Sequence, residues 1–126
     1  MIRTTTTSPA YIALRAFLRD HDEALQNAAL LLGDSPALRR TQRLLGAIDS
    51  QPILTRRLCR ELAALRALLS LEHVGDPDRL EAACFARIDL AWHGIEEICL
   101  LEEGLVRCLD RLEAEALDTA PLWRAA

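Results

Sequence analysis

Apolar residues recur along the chain in alternating steps of three and four, the spacing of one face of an α-helix. The first such stripe follows Ser8-Pro9, an N-cap hydroxyl with proline at the first helical position. It consists of Tyr11, Leu14, Leu18, His21, Leu25, Ala28 and Leu32. The pattern predicts a first helix from Pro9 to about Leu32 that stops at Gly33.

The same signals predict three further helices. Asp34-Ser35-Pro36 begins a second helix that reaches about Ile48, and Pro52 separates it from a third. The third extends to about His73, with Leu54, Leu58, Leu62, Leu65 and Leu69 facing inward. Gly75-Asp76-Pro77 then begins a fourth helix. That helix has no evident stop before about Leu117 unless it breaks near Gly94 or Gly104.

This arrangement predicts an all-α protein, an up-and-down helical bundle of about four helices with a long C-terminal helix. A chain of 126 residues is long enough for one domain with a single core. We expect the domain to span residues 9–118, between tails at 1–8 and 119–126. Hydrophobic residues make up 51% of the chain but aromatic residues only 4%, so we expect a core of Leu and Ala, both strong helix formers.

Composition also suggests a cellular setting. The basic residues are all Arg, and Ala and Leu are abundant, which is typical of proteins from GC-rich bacterial genomes. The N-terminus has no apolar secretory segment, and charged residues cut every apolar run short of the ~20 residues of a membrane span. Cys59, Cys84, Cys99 and Cys108 form no C-x-x-C pair, which favours buried or half-buried free thiols. We therefore expect a cytoplasmic protein without membrane contact, metal or cofactor.

Two polar residues occupy positions where the helical stripes require apolar ones. His21 is in the first stripe, and Glu102 is in the seam of the fourth helix. That seam is predicted to be Ile88, Ala91, Ile95, Ile98, Glu102, Leu105, Leu109, Leu112 and Ala116. An unpaired charge in a core is strongly destabilising, so each should be paired, neutral or at an edge. The hypothesis is that His21 and Glu102 form a buried polar pair, either structural or lining a functional pocket.

Charge is segregated along the chain. Residues 35–70 carry seven Arg and two acidic residues, whereas residues 71–118 carry four Arg and thirteen acidic residues. The candidate basic patch is Arg39, Arg40, Arg43, Arg56, Arg57 and Arg60. One interpretation is that basic and acidic surfaces complement each other within the fold or between subunits. The alternative is a nucleic-acid-binding regulator that uses helices 2 and 3, although no helix-turn-helix spacing, aromatic platform or basic tail supports it.

An exposed histidine on the predicted fourth helix supplies a catalytic alternative. The segment from Arg87 to His93, RIDLAWH, resembles the R-x(4–6)-H motif of HEPN-type helical ribonucleases and their toxin relatives. Arg15 and His21 have a similar spacing. The resemblance implies a ribonuclease or toxin component in which Arg87 and His93 act on the phosphodiester, in a cleft formed across a dimer.

The fourth helix also carries the candidate subunit interface. Around Ile98 to Leu101 it is apolar on nearly the whole turn, with Leu100 on the otherwise polar face. Ile98, Leu100, Leu101 and Leu105 are the predicted interface residues of a homodimer. The function expected overall is that of a small bacterial protein without catalytic activity, a protein–protein interaction or regulatory module.

Overall fold

The computed structural model describes residues 8–72, 75–88 and 94–119, with side chains as far as residue 115. Its five helices are α1 Pro9–Asp20, α2 Asp22–Ser50, α3 Arg56–Leu69, α4 Leu80–Phe85 and α5 Gly94–Thr119. The expectation of an all-α bundle with a long C-terminal helix is confirmed. At 26 residues, α5 is about 39 Å long. Among the described helices, none has the combined length and apolarity needed to cross a membrane.

Helix α2 is folded back on itself at Asp34, which divides it into a first arm (22–33) and a second arm (35–50). Asp34 has φ 60° and ψ −162°, a backbone conformation that is strained for a residue with a Cβ. The two arms run side by side, because the amide of Gln42 donates to that of Gln26 at 3.0 Å. The predicted boundary at Gly33-Asp34-Ser35-Pro36 is therefore confirmed.

Four helical segments form a closed ring. Helix α1 packs on α2, α2 on α3, α3 on α5, and α5 on α1. The ion pair between Arg19 and Asp49 (2.5 Å) joins α1 to the second arm of α2. The hydroxyl of Tyr11, near the start of α1, donates to Gln51, just after the end of α2, so these segments are antiparallel. Helix α5 runs antiparallel to α1, since Glu115 Oε2 accepts from the backbone N–H of Ala10 at 2.8 Å. The short helix α4 packs against α2.

The core consists mainly of leucine side chains that point into this ring. The buried members of the first predicted stripe are Tyr11, Leu14, Leu18, Leu25, Ala28 and Leu32, and those of the third are Leu58, Leu62, Leu65 and Leu69. Leu44, Leu45 and Ile48 contribute from the second arm of α2, and Ile98, Leu101 and Leu105 from α5. The stripes predicted from periodicity therefore do form one core.

Three helix boundaries differ from the prediction. The first helix is interrupted at His21, whose φ of −113° and ψ of 18° lie outside the helical range, although its backbone N–H still donates to the carbonyl oxygen of Phe17 at 3.0 Å. Helix α3 ends at Leu69, because Leu71 adopts φ 62° and Glu72 N–H donates back to Ala67. The long fourth helix is divided into α4 and α5; of its two possible breaks, Gly104 lies inside α5 and Gly94 begins it.

The hydroxyl of Tyr11 connects α1 to the C-terminal end of α2. It donates to the carbonyl oxygen of Gln51 at 3.0 Å, and the carbonyl oxygen of Ile48 lies at 3.4 Å. The Tyr11 side chain is buried, and this burial raises the pKa of its phenol. The hydrogen bond satisfies a carbonyl that the helix end leaves without an intrahelical donor.

Replacing Tyr11 with Phe should lower the free energy of unfolding by about 1–2 kcal/mol, because a half-buried carbonyl loses its donor while the ring stays in place. Urea denaturation followed by circular dichroism measures the change. Ile12→Ala on the same helix is the control; Ile12 is 55% exposed, so the loss there should stay near 0.5 kcal/mol. Equal losses in both variants would contradict a role for the hydroxyl.

Helices α1 and α5 approach most closely at Gly104. A Cβ built at Gly104 would overlap the ring of Phe17, with Cζ at 2.9 Å. The Phe17 ring in turn stacks on His21 with centroids 4.5 Å apart. Glycine at this position therefore lets α5 lie against an aromatic side chain of α1.

Two glycine substitutions should have different effects on stability. Gly46→Ala on the second arm of α2 should stabilise the fold by about 0.5–1 kcal/mol, because nothing lies within 4 Å of the added Cβ and alanine favours a helix. Gly104→Ala has the same propensity gain but must displace Phe17, so it should be less stable than Gly46→Ala by about 1 kcal/mol or more. Thermal unfolding of both variants measures the difference. If Gly104→Ala were as stabilising as Gly46→Ala, the close approach would be ruled out.

Candidate binding face

Six arginines cover the outer surface formed by the second arm of α2 and α3, and we call this surface the basic face. Its members are Arg39, Arg40, Arg43, Arg56, Arg57 and Arg60, and all six are exposed. The two segments are neighbours, and Arg40, Arg43 and Arg57 lie close to one carboxylate, that of Glu61. The side chains of Arg39, Arg56 and Arg60 make no hydrogen bond or ion pair with the described residues.

Glu61 lies among these arginines. Arg40 donates from Nε and Nη2 to its two carboxylate oxygens, at 2.6 and 3.0 Å. This bidentate hydrogen bond, followed by the nearby charges of Arg57 and Arg43, holds the pKa of Glu61 below its usual range. The same hydrogen bond raises the pKa of Arg40. One carboxylate therefore neutralises part of a cluster of three arginines and leaves an excess of positive charge.

A groove of about 290 Å³ between the second arm of α2 and α3 adjoins the basic face at Arg40 and is capped at one end by the start of α4. Its floor is apolar: Ala37, Leu44, Ala64, Leu65, Ala67, Leu68 and Leu80 line it. Its rim carries Arg40 and Glu61 on one side and Arg79 and Glu81 on the other. The alanines on the facing helices keep the groove open, since larger side chains would fill it.

Thr41 is the polar residue of the groove floor. It is only 4% exposed, and among the described residues it is the one polar residue that is buried. It lines the groove beside Ala37 and Leu44 of the same helical arm.

A second surface, on α5 and the adjoining first arm of α2, is acidic. Helix α5 carries eight acidic residues and only Arg107 and Arg111 as basic ones. Asp20, Glu23 and Glu97 line a second groove, of about 360 Å³, between the first arm and α5. The ion pairs between described residues join Arg19 to Asp49, Arg40 to Glu61 and Arg79 to Glu81. None of these three ion pairs joins the basic face to α5.

The structure does not bring His21 and Glu102 together. The side-chain partner of His21 is the carbonyl oxygen of Phe17. Phe17 also contacts the Gly104 side of α5. Glu102 is two residues, or about 200°, around α5 from Gly104 and therefore points away from α1. The buried seam position is Leu101, and Glu102 is only half-buried. The prediction of Glu102 in the seam was one residue off, because between Ile98 and Leu105 the chain buries the apolar Leu101 and leaves the neighbouring carboxylate nearer the surface.

Of the two catalytic candidates, Arg87 lies within the described residues. Arg87 is exposed, and its Nη2 lies 3.6 Å from the sulfur of the buried Cys84. His93 lies outside the described residues, so a pairing of Arg87 with His93 stays a prediction. The described residues contain no cluster of three or more metal-ligating side chains.

The predicted dimer interface is wrong for three of its four residues. Ile98, Leu101 and Leu105 are buried in the core of their own chain and are not available to a second one. Leu100 is 63% exposed and remains a candidate. The prediction of buried or half-buried thiols is also wrong for Cys59 and Cys99, which are exposed, whereas Cys84 is buried and Cys108 half-buried.

Sequence analysis missed the groove itself. Periodicity marks Leu44 and Leu65 as inward-facing but does not reveal that short side chains stand between them and the surface. The available signal was the run of small residues Gly33, Ala37 and Thr41 at steps of four, opposite Ala64 and Ala67. This signal identifies a groove only once the two helices are known to be antiparallel neighbours.

The Arg40–Glu61 pair should make stability depend on pH. Because the folded-state pKa of Glu61 is lowered, its contribution is present above the ordinary glutamate value of 4.5 and is lost as pH falls through the folded value. Glu61→Gln should cost about 0.5–1 kcal/mol at pH 7, a modest amount because the pair is partly exposed. The difference from the unaltered protein should shrink toward pH 3 in urea titrations.

The matched control is Glu96→Gln, which removes an exposed carboxylate from α5. It should change stability at pH 7 by no more than about 0.5 kcal/mol. A Glu61→Gln penalty of the same size at pH 3 and pH 7 would show that the ion pair is not its source.

In comparisons with known proteins, no family model, no curated protein and no solved structure matches this chain.

Proposed function

We propose that the chain is a non-catalytic protein–protein interaction module whose basic face binds an acidic segment of a protein partner. The observation that carries this proposal is the pairing of two adjoining features: a cluster of exposed arginines around the carboxylate of Glu61, and an apolar groove that begins beside Arg40 and Glu61. Arginine and apolar pockets are the two features enriched at the centres of protein interfaces.

An acidic protein segment suits this surface better than nucleic acid does. A phosphate backbone is recognised by charge spread over a long surface, whereas here the positive charge adjoins an apolar groove. The net charge of the chain is −4, and acidic α5 would repel a polyanion that extended beyond the basic face. A protein segment can place carboxylates on the arginines and an apolar side chain in the groove at once.

The proposed setting is the cytoplasm of a bacterium. All four cysteines are unpaired, and Cys59 and Cys99 are exposed. Exposed free thiols are compatible with a reducing compartment, where disulfides do not persist.

Binding of a defined probe tests this function. The probe is a fluorescent helical peptide of about 20 residues, rich in Glu, with Leu at every fourth position, and its anisotropy is measured with the full chain. We expect binding that weakens with salt and at least tenfold weaker binding by Arg43→Ala/Arg57→Ala. Neither arginine takes part in a side-chain hydrogen bond, so the fold should persist. The control Arg107→Ala/Arg111→Ala removes the same charge from α5 and should leave binding unchanged.

Two results would contradict the proposal. Equal losses in the two double variants would mean that net charge, not the basic face, governs binding. Tighter binding of duplex DNA or single-stranded RNA than of the peptide, with a steep salt dependence lost in Arg43→Ala/Arg57→Ala, would favour the nucleic-acid alternative.

A further inference from the structure

Leu100 is an isolated apolar side chain in an acidic surround. It is 63% exposed on the outer surface of α5. Glu96, Glu97 and Glu103 lie four and three residues before it and three after it, so all three carboxylates share its part of the helix surface. All three are exposed. Helix α5 thus presents a single leucine bordered by negative charge.

The groove of the basic face has the complementary shape and charge. Its 290 Å³ is the liquid volume of about ten water molecules at ~30 Å³ each, more than the four carbons of a leucine side chain require. Its rim carries the ion pairs Arg40–Glu61 and Arg79–Glu81. The charges of Arg43 and Arg57 act on Glu61 and leave an excess of positive charge at that end of the groove. An apolar floor with positive charge at one end therefore matches an apolar side chain bordered by carboxylates.

We infer that the acidic segment bound by the basic face is α5 of a second copy of this chain, with Leu100 inserted into the groove. The inference rests on the proposed function and names its partner. In this arrangement Glu96, Glu97 and Glu103 approach the arginines of the rim. The leucine removes water from the apolar floor, which provides the favourable free energy, and the charges determine the orientation.

The position of the two surfaces determines the type of assembly. The groove lies on the α2–α3 side of the ring, whereas Leu100 lies one turn from Glu97 and Gly104, which face the first arm of α2 and α1. One copy cannot use both surfaces on the same neighbour, so copies join head to tail and each complex retains a free groove and a free Leu100. One helix across a groove makes a small interface, and we expect weak association.

The test is the mass of the full chain in solution, by light scattering and sedimentation over a range of concentrations. We expect a mass that rises with concentration beyond two chains, and an apparent Kd at least tenfold weaker in high salt than in low salt. Leu100→Glu should abolish association, since it places charge in the groove. The control Ile12→Glu makes the same change at another exposed apolar residue and should leave association unchanged.

Two variants that each lack one of the two surfaces should associate with each other when they are mixed. Ala64→Phe fills the groove but keeps Leu100, whereas Leu100→Glu keeps the groove. Each should be monomeric alone, and their mixture should form a one-to-one complex that grows no further. If Ala64→Phe does not fold, Arg43→Glu/Arg57→Glu replaces it, because both arginines are exposed. The combined variant Ala64→Phe/Leu100→Glu should bind neither partner.

Other outcomes overturn the inference. They are association unaffected by Leu100→Glu, a closed dimer at all concentrations, or no complex in the mixture. A chain that stays monomeric yet binds the acidic peptide through Arg43 and Arg57 would refute self-association and leave the proposed function intact. A chain that binds neither itself nor the peptide would refute both.

Discussion

The burial of one leucine stripe per helix is the constraint on which the rest of the structure depends. Each helical segment has a single apolar face, and four such faces enclose a core when the segments form a ring. The scarcity of aromatic residues means that close packing of Leu and Ala must exclude water. Among the described residues, no charged residue is buried, and the position of each charge follows from the helix that carries it.

The segregation of charge along the sequence becomes a segregation of charge in space through this ring. The second arm of α2 and α3 are both basic and are neighbours, whereas α5 is acidic and lies across the ring from the second arm. Had the order of helices placed α5 between the two basic segments, the charges would have cancelled within one chain. The observed order of helices leaves two surfaces of opposite charge. The ion pair between Arg40 and Glu61 neutralises only part of the positive charge.

Much of the fold follows from sequence because its signals are local. Proline and glycine at Gly33-Asp34-Ser35-Pro36 mark a turn, and steps of three and four identify the buried leucines. The remaining features of the fold depend on local backbone geometry and packing that the spacing of apolar residues does not indicate. His21 leaves the helical range of φ and ψ, and between Ile98 and Leu105 the buried position is Leu101 and not Glu102. The sequence alone predicted the arginines of the basic face. The groove could not be predicted in the same way, because it forms only where two helices pack against each other.

The tyrosine that joins α1 to the end of α2 also gives the molecule an internal reporter. Tyr11 is the sole tyrosine of the chain, and its hydroxyl donates to the last residues of the second arm. Its near-ultraviolet absorbance therefore originates from one place, the seam between the first and second helical segments. Ionisation of a phenol in this seam first requires the hydrogen bond to open. When the protein is mixed rapidly with alkaline buffer, the rate at which the Tyr11 absorbance changes therefore reports the rate of local opening at this end of the bundle. No added label is needed.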